Sequence, residues 1–392
     1  MTDIIEARIE KLVFGGDGLA RVDGRAVFIP YTAPGDLVRA RITESKKRFA
    51  RAELVELLEP GPDRREPPCP YFGPCGGCQL QHVTYETQVQ AKGGFVRDAL
   101  ERIGRLDIPG EIPIHTAPGS EFGYRIRATA HVVHTSRETL FGYFGARSHR
   151  VVDIASCPLL VEELDAAWQR ARAAREGLLR LRHVDLAAGD EGTAAEPPIA
   201  TVGGAALTTR VGDITYTFSP AVFFQANRPL LGDLVASATA GESGALAVDL
   251  YAGVGLFAIP LSRAFERVVA VEGFAQAADF ARANASANGA ENVEVLDEPV
   301  EAWLERSADE PGAIDLVLLD PPRAGLGEAP ARRLAALAPS RIVYVSCDPT
   351  TLARDLRVLA DGGYRLESVE AFDLFPQTFH VETVARLVHN SR

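Results

Sequence analysis

The chain has 392 residues, of which 46% are hydrophobic and 24% charged, and its formal net charge is -12 at pH 7. These proportions exclude an intrinsically disordered chain, and no apolar run approaches the ~18 residues that a membrane-spanning helix needs. The acidic balance argues against attraction of nucleic acid to the whole surface, so RNA binding would require a local basic patch.

Short strands separated by glycine turns are predicted over residues 1–60. I-E-A-R-I-E-K-L-V alternates apolar and polar residues, R-A-V-F-I-P and D-L-V-R-A-R-I-T follow as strands, and A-R-A-E-L-V-E-L-L closes the set. The pattern predicts a small antiparallel β-barrel of the size of an oligonucleotide-binding module. A Pro- and Gly-rich stretch from Pro60 marks the domain boundary.

Two stretches of the chain are rich in basic side chains. Residues 39–51 carry six arginines and lysines against Glu44 alone, and residues 124–150 carry five arginines against Glu138, with aromatic residues interleaved. Basic side chains beside aromatic rings suit single-stranded RNA, where phosphates pair and bases stack. A solvated charged face is an equally good interpretation of the composition.

Four of the five cysteines are grouped in a pattern typical of a metal centre. C-P-Y-F-G-P-C-G-G-C contains Cys69, Cys75 and Cys78, and S-C-P adds Cys157. This spacing suits either a zinc ion or an iron–sulfur cluster. The odd number of cysteines and the lack of an apolar signal core at the N-terminus both predict a cytoplasmic protein.

Residues 61–222 are predicted to form a central α+β domain that carries these cysteines. Helices are expected from about Thr84 to Ile103 and from Glu162 to His183, and A-A-G-D-E-G-T-A-A-E-P-P is expected to be a surface loop. Strands are predicted at Tyr124–Val133, Thr139–Phe144 and Val151–Ile154. Part of the stretch 81–112 is expected to pack on the domain that follows.

Residues 223–392 alternate strand and helix patterns, which predicts a doubly wound parallel sheet of the α/β class. In A-V-D-L-Y-A-G-V-G, Asp249 ends a buried strand and Gly253 lets the backbone approach a ligand. Glu272, at the end of the next strand, suits the hydroxyls of a ribose. The pattern fits a dinucleotide enzyme or an S-adenosylmethionine enzyme. Asp297 is a candidate contact to an adenine amine, and a polar loop residue is an equally good interpretation.

Two further strand ends carry residues suited to catalysis. Asp320 begins D-P-P-R, a rigid turn familiar from methyltransferases that act on nucleobases. Cys347 follows R-I-V-Y-V-S and precedes D-P-T-T-L, which predicts a helix that begins beside the thiol. A helix N-terminus lowers a thiol pKa, which suits a nucleophile. Without the neighbouring motifs, a small buried cysteine is the favoured interpretation. His380 and Glu382 are two residues apart on a final strand and are expected to share a face.

These motifs together resemble the bacterial family of S-adenosylmethionine-dependent RNA uracil-5-methyltransferases, specifically its iron–sulfur members with an N-terminal TRAM domain. The resemblance covers nearly the whole chain and rests on C-P-Y-F-G-P-C-G-G-C-Q-L-Q-H, F-F-Q-A-N, D-L-Y-A-G-V-G, L-D-P-P-R-A-G, S-C-D-P-T-T-L-A-R-D-L and H-V-E-T-V. It implies a TRAM barrel over residues 1–60 and a Rossmann-like class I methyltransferase domain over residues 223–392.

The resemblance also implies roles for individual residues. Cys347 would be the nucleophile and Glu382 the base. The pocket for the methyl donor and the uracil would include Gln225, Tyr251, Glu272 and Asp320, beside Asp249, Gly253 and Asp297. A [4Fe–4S] cluster on Cys69, Cys75, Cys78 and Cys157 is favoured, with zinc as the alternative. The chain departs from many family members at Ala252 and Leu256, so Leu256 is left out of the predicted site.

The expected activity is methyl transfer from S-adenosylmethionine to C5 of a uridine in RNA through a covalent adduct between Cys347 and uracil C6. Large-subunit (23S) ribosomal RNA is the favoured substrate and tRNA the alternative. A non-catalytic iron–sulfur RNA-binding protein and an exocyclic-amine methyltransferase are the other candidates, but neither needs the Cys347 thiol. RNA is the expected partner, and neither a membrane nor an obligate protein partner is expected.

Overall fold

The computed structural model describes residues 4–178, 181–307 and 314–390 of the chain. Residues 1–3, 179–180, 308–313 and 391–392, which fall within the predicted elements and domains, lie outside this description. A small N-terminal barrel, a central antiparallel sheet and a large C-terminal sheet follow one another along the chain. No helix within the described ranges is long and apolar enough to span a membrane.

The N-terminal unit is a closed barrel, as the alternating pattern predicts. Its strands are β1 (Ile4–Leu12), β2 (Gly18–Val22), β3 (Arg25–Ile29), β4 (Leu37–Ser45) and β5 (Phe49–Glu59), arranged in the order β1-β2-β3-β5-β4. The β3–β5 pair is parallel, so the barrel is not wholly antiparallel. The sequence analysis missed β2. This strand begins at Gly18, which leaves no room for a side chain, because a Cβ atom there would lie 2.1 Å from the Thr32 hydroxyl.

The basic side chains predicted on this barrel are largely neutralised. Arg39 forms ion pairs with Glu6, at 2.8 Å, and with Glu56. Arg41 and Arg51 also pair with acidic side chains of the barrel. Such exposed pairs contribute little to stability, but they cancel charge that an RNA phosphate would otherwise attract. The first basic stretch is therefore a weaker RNA patch than its composition suggests.

The chain between the barrel and the central sheet packs against the C-terminal sheet. Helix α1 (Tyr85–Ala99) continues through a π-helical turn at Leu100–Gly104, and strand β6 (Ile114–His115) adds to the edge of that sheet in parallel with a later strand. Val96 and Leu100 are buried in the core of the C-terminal sheet.

The central unit is a five-stranded antiparallel sheet covered by one helix. Its elements are β7 (Arg127–His134), β8 (Thr139–Phe144), β9 (Val151–Asp153), α2 (Glu162–Ala173), β10 (His183–Gly189) and β11 (Gly192–Glu196), with the strand order β11-β10-β7-β8-β9. A separate hairpin, β12 (Leu207–Val211) and β13 (Ile214–Phe218), follows it.

Two predictions for this unit are wrong. The helix expected to reach His183 ends at Ala173, and a short 3-10 turn follows at Arg175–Leu178 before His183 begins β10. The expected surface loop at 187–198 contains the β10–β11 hairpin. Its four alanines, Ala187, Ala188, Ala194 and Ala195, are fully buried, and α2 packs on this hairpin. Alanine has a weak strand propensity, so a strand built from it resembles a loop in sequence.

The C-terminal unit confirms the predicted doubly wound α/β sheet. Its elements are α3 (Arg228–Thr239), β14 (Gly244–Leu250), α4 (Ala258–Leu261), β15 (Phe265–Glu272), α5 (Ala275–Ala287), β16 (Val293–Asp297), α6 (Val300–Ser307), β17 (Leu316–Leu319), α7 (Glu328–Leu337), β18 (Arg341–Ser346), α8 (Pro349–Asp361), β19 (Tyr364–Phe372) and β20 (Glu382–His389). The strand order is β16-β15-β14-β17-β18-β20-β19-β6.

This strand order determines where a ligand can bind. Strands β14 to β18 are parallel, and β20 inserts antiparallel between β18 and β19. The order reverses between β14 and β17, and in open α/β sheets ligands bind beyond the carboxyl ends of the strands at such a switch point. The predicted site residues are therefore expected at one edge of the sheet.

Candidate active site

The carboxyl edge of the C-terminal sheet brings the two predicted catalytic residues together. Ser346 on β18 is paired with Thr383 on β20, so the next residues of this antiparallel register, Cys347 and Glu382, lie opposite each other. Asp320 follows β17 directly, and its charge and that of Glu382 both act on the Cys347 thiol. Three residues that are distant in sequence therefore form one cluster.

Cys347 lies immediately before a well-capped helix. The Asp348 Oδ1 atom accepts hydrogen bonds from the backbone N–H groups of Thr350, at 2.8 Å, and Thr351, at 3.2 Å, and Pro349 occupies the first turn of α8. This capping matches the sequence pattern.

The expectation of a lowered Cys347 pKa is wrong. Burial of the thiol, followed by the charges of Glu382 and Asp320, raises its pKa to about 12. The Arg323 guanidinium opposes this shift but does not overcome it. Burial and two neighbouring carboxylates thus outweigh the helix N-terminus, because desolvation and like charge both disfavour a thiolate.

This raised pKa predicts slow alkylation of Cys347 at neutral pH. The thiolate is the reactive form, and below the thiol pKa its population rises about tenfold per pH unit. The alkylation rate of Cys347 by iodoacetamide, followed by peptide mass spectrometry, is therefore expected to rise steadily from pH 7 to about pH 10.5, past the usual thiol pKa of 9.0. A rate that levels off near or below pH 9 would show that the pKa is not raised.

Glu382 is buried at 1% exposure, and its Oε1 atom has no hydrogen-bond partner among the described residues. Burial, followed by the charge of Asp320, raises its pKa well above the usual value, and Arg323 opposes the shift. His380 does not share a strand face with it, because β20 begins only at Glu382. The His380 Nε2 atom instead accepts a hydrogen bond from Arg323 at 2.7 Å, and burial and this cation lower the His380 pKa to about 3.

A small cleft beside this cluster contains several of the predicted donor-site residues. Gln225 donates a hydrogen bond from Nε2 to Asp320 Oδ2 at 3.1 Å, and burial raises the pKa of Asp320 to about 7. The cleft, of about 30 Å³, is lined by Phe223, Phe224, Gln225, Tyr251, Ala252, Gly253, Val254, Leu256, Phe257 and Asp320. The sequence analysis excluded Leu256 and missed Phe223, whose ring is 67% exposed. The motif F-F-Q-A-N signals this position, but sequence does not distinguish an exposed ring from a buried one.

The glycine turn after β14 is held by Glu272. Its two carboxylate oxygens accept hydrogen bonds from the backbone N–H groups of Gly253, at 2.8 Å, and Phe274, at 2.7 Å. Tyr251 adopts a left-handed backbone conformation with φ 61°, and its hydroxyl donates to Glu301 at 3.2 Å. Asp297 lies opposite Glu272 in the sheet register and is exposed.

Asp249 is a buried carboxylate whose charge few neighbouring groups offset. Its side chain is fully buried, and neither carboxylate oxygen has a partner of standard hydrogen-bond geometry among the described residues. The backbone N–H of Ala258 offsets its charge only in part. Burial, followed by the charge of Asp320, raises its pKa well above the usual value. A buried carboxylate with so little compensation is costly, and a positive charge bound nearby would offset that cost.

The four grouped cysteines line one cavity of about 550 Å³, together with Arg125, Arg147, Arg323 and His380. All four thiols are free. Burial raises the pKa of Cys78 to about 12 and that of Cys157 to about 11. Across residues 4–178, 181–307 and 314–390, no three His, Cys, Asp or Glu side chains are arranged to hold a single metal ion. The shared cavity also reaches Arg323 and His380, which border the catalytic cluster.

Comparisons with known proteins show which family the chain resembles. Residues 162–390 match the tRNA (Uracil-5-)-methyltransferase family, and residues 3–55 match the TRAM domain. The chain is 34% identical to the 23S rRNA (uracil(1939)-C(5))-methyltransferase RlmD of Pectobacterium atrosepticum, over 96% of this chain and 92% of that protein. It is 33% identical to an uncharacterized RNA methyltransferase of Aquifex aeolicus, over 98% of each chain.

A solved structure extends the likeness to the fold of the whole chain. The tRNA (uracil-54, C5)-methyltransferase of Pyrococcus abyssi, in complex with S-adenosyl-L-homocysteine, aligns with a TM-score of 0.73 at 27% identity, covering 98% of this chain and 100% of that one. The family match spans most of the central and C-terminal units, and the TRAM match spans the barrel. The chain therefore belongs to the RNA uracil-5-methyltransferase family and carries an N-terminal TRAM domain, as the sequence motifs predicted.

Proposed function

We propose that the protein transfers a methyl group from S-adenosylmethionine to C5 of a uridine in RNA, with Cys347 as the nucleophile and Glu382 as the base. The observation that carries this proposal is the register of β18 and β20, which places the thiol and the carboxylate opposite each other. Asp320 and Gln225 lie beside them, where a polar group can face a flipped base.

The proposed chemistry explains why both residues are needed. Uracil C5 is too weak a nucleophile to accept a methyl group unaided. The Cys347 sulfur adds to C6, and the electron pair of the C5–C6 double bond moves into an enolate, which makes C5 nucleophilic. The enolate would form the bond from C5 to the methyl group while the bond from that methyl group to the donor sulfur breaks and S-adenosylhomocysteine leaves. Glu382 then accepts the C5 proton, the C5–C6 double bond re-forms, and the bond from C6 to the Cys347 sulfur breaks.

A cationic methyl donor would offset the buried acids beside the cleft. Asp249 is a fully buried carboxylate with little to offset its charge, and Asp320, which lines the cleft, is a second buried carboxyl group nearby. The sulfonium of S-adenosylmethionine carries both the methyl group and a positive charge. We propose that Gln225, Tyr251, Gly253 and Glu272 hold the donor beside these acids, with Asp297 close to its adenine. A positive charge bound there lowers the pKa of neighbouring carboxyl groups.

Ribosomal RNA is the favoured substrate class. The support is the 34% identity to a protein named as a 23S rRNA methyltransferase, over nearly the whole of both chains. The tRNA alternative draws on the structural neighbour at 27% identity. Arg125, Arg147 and Arg323 face the large cavity together with aromatic side chains, which suits single-stranded RNA.

The substrate is tested by mass spectrometry of rRNA and tRNA from a strain that lacks the gene. We expect one or more 5-methyluridines to disappear from 23S rRNA and to return when the wild-type gene is restored. A methyl group lost only from tRNA would support the alternative. Unchanged 5-methyluridine in both RNAs would contradict the proposed function.

We further propose a [4Fe–4S] cluster on Cys69, Cys75, Cys78 and Cys157, within a cytoplasmic protein. The support is that the four free thiols line one cavity. A zinc ion gathers its four sulfurs at about 2.3 Å from one point, whereas a cluster binds one thiolate at each of its irons.

The cluster is tested by anaerobic purification. We expect a brown protein with about four irons and four sulfides per chain, because each cysteine binds one iron of a four-iron cluster. Replacement of Cys78 by serine is expected to lower the iron content. A colourless protein with one zinc per chain would contradict the cluster and support the zinc alternative.

A further inference from the structure

The segment that leads into Glu382 is held by distant parts of the chain. This segment, residues 373–381, joins β19 to β20 and is called the junction loop below. The Lys92 ammonium on α1 forms a fully buried ion pair with Asp373 and donates to the Phe375 carbonyl at 2.9 Å. The Tyr124 hydroxyl donates to the Pro376 carbonyl at 3.1 Å. The junction loop is therefore built against α1 and the central unit.

Gln377 is the most highly connected residue of this loop. Its side chain is fully buried, and its backbone adopts a left-handed conformation with φ 71°, which residues other than glycine rarely adopt. Its carbonyl accepts hydrogen bonds from the N–H groups of Gln79, at 3.1 Å, and Leu80, at 3.0 Å. Because Gln79 directly follows Cys78, these bonds join the junction loop to the cysteine-bearing segment.

The Gln377 side chain reaches three further segments. Its Oε1 atom accepts hydrogen bonds from Gln88 Nε2, at 3.0 Å, and from Arg65 Nη2, at 2.9 Å. Its Nε2 atom donates to Glu121 Oε2 at 3.1 Å. A second hydrogen bond joins the same two residues, because the Gln88 Oε1 atom accepts from the Gln377 backbone N–H at 3.0 Å. Both polar atoms of the buried amide thus have partners, as a rigid network requires.

The position of Glu382 depends on this network because its own side chain has no anchor. The Oε1 atom of its carboxylate has no hydrogen-bond partner among the described residues, so packing and the backbone, which pairs with Phe372 on β19, place it. On the N-terminal side of Glu382, Gln377 is the nearest residue that is bonded through both its backbone and its side chain to other segments. A shift of the junction loop would therefore move the carboxylate relative to Cys347.

We propose that Gln377 is a positioning residue that ties the junction loop to the cysteine-bearing segment and thereby places Glu382 for removal of the C5 proton. This inference rests on the proposed function, since it assumes that Glu382 is the base. The effect of Gln377 is confined to the steps that need Glu382, which are proton removal and release of the RNA. Formation of the bond between Cys347 and uracil does not require Gln377.

The experiment compares Gln377→Met with the matched control Gln90→Met on the exposed face of α1. Methionine retains the length of glutamine but loses its hydrogen bonds. We expect kcat to fall on the order of tenfold to a hundredfold, as for a misplaced catalytic group, while the Kd for RNA changes less than twofold. A covalent RNA–protein adduct is expected to accumulate on a denaturing gel. Gln90→Met is expected to behave as wild type.

A double variant shows whether Gln377 acts through Glu382. If it does, Gln377→Met/Glu382→Gln matches Glu382→Gln alone in rate and adduct level, because groups that act as a unit are not additive. Independent, additive losses would overturn the inference. If Gln377→Met does not fold, Gln377→Asn takes its place, since asparagine tolerates the left-handed backbone but is one methylene shorter.

Failure of this inference is distinguishable from failure of the proposed function. Wild-type turnover by the Gln377 variant, without adduct, would overturn the positioning role and leave the function intact, provided that Glu382→Gln still traps RNA. A wild-type protein that forms no 5-methyluridine would instead overturn the function itself.

Discussion

Replacement of Cys347 by alanine is expected to abolish methyl transfer to RNA while RNA binding is retained. Without the sulfur no bond forms to uracil C6, so C5 stays too weakly nucleophilic to accept a methyl group. We expect a loss of activity on the order of 10⁴-fold or more, comparable with removal of other covalent nucleophiles. The measurement is methyl incorporation into RNA, with the Kd for the same RNA determined in parallel.

The Kd serves as the internal control for this variant. The side chain is small and already half-buried, so its truncation is expected to leave the fold and the RNA-binding surface unchanged. Methyl transfer at close to the wild-type rate would remove Cys347 from the role of nucleophile. A large loss of RNA affinity would show that the thiol acts in binding instead.

Replacement of Glu382 by glutamine is expected to trap RNA on the protein. The amide has the shape of the carboxylate but cannot accept the C5 proton, so the methylated intermediate stays bonded to Cys347. Turnover is expected to fall on the order of 10²- to 10⁴-fold, the usual contribution of a general base. The trapped species is measured as a shifted band on a denaturing gel.

The control for this variant is Glu305→Gln, an exposed change on α6 that disrupts only a surface ion pair with Arg333. It is expected to retain full turnover and form no adduct. Adding Cys347→Ala to Glu382→Gln is expected to remove the shifted band, because the adduct requires the sulfur. Normal turnover by Glu382→Gln without any adduct would assign the base to another group.

The strand-end residues of the candidate site could be predicted because their signals are local. Asp320 and Cys347 each follow a short apolar run, and the carboxyl ends of parallel strands meet at one edge of a sheet. The structure places both residues there, beside Glu382. Their roles in the reaction stay predictions, which the two variants above test.

Other features could not be predicted because they depend on what packs around a residue. The alanines of β10 and β11 form a buried hairpin only because α2 covers them. Cys347 lies directly before a capped helix, as its sequence indicates. Burial and the neighbouring carboxylates nevertheless raise the pKa of its thiol to about 12. Likewise, ion pairs with acidic residues of the barrel neutralise much of the first basic stretch.

The sequence by itself determined the family and the order of the barrel, the central unit and the α/β sheet. It also predicted which thiol and which carboxylate act in the reaction. Each of these can be predicted from short sequence motifs, because the motifs do not depend on residues that are distant in the chain. The tertiary structure alone decided the electrostatics of the site and the network around Gln377. That network joins residues as far apart as Arg65 and Gln377, separated by 312 positions, and only folding brings such residues within hydrogen-bond distance.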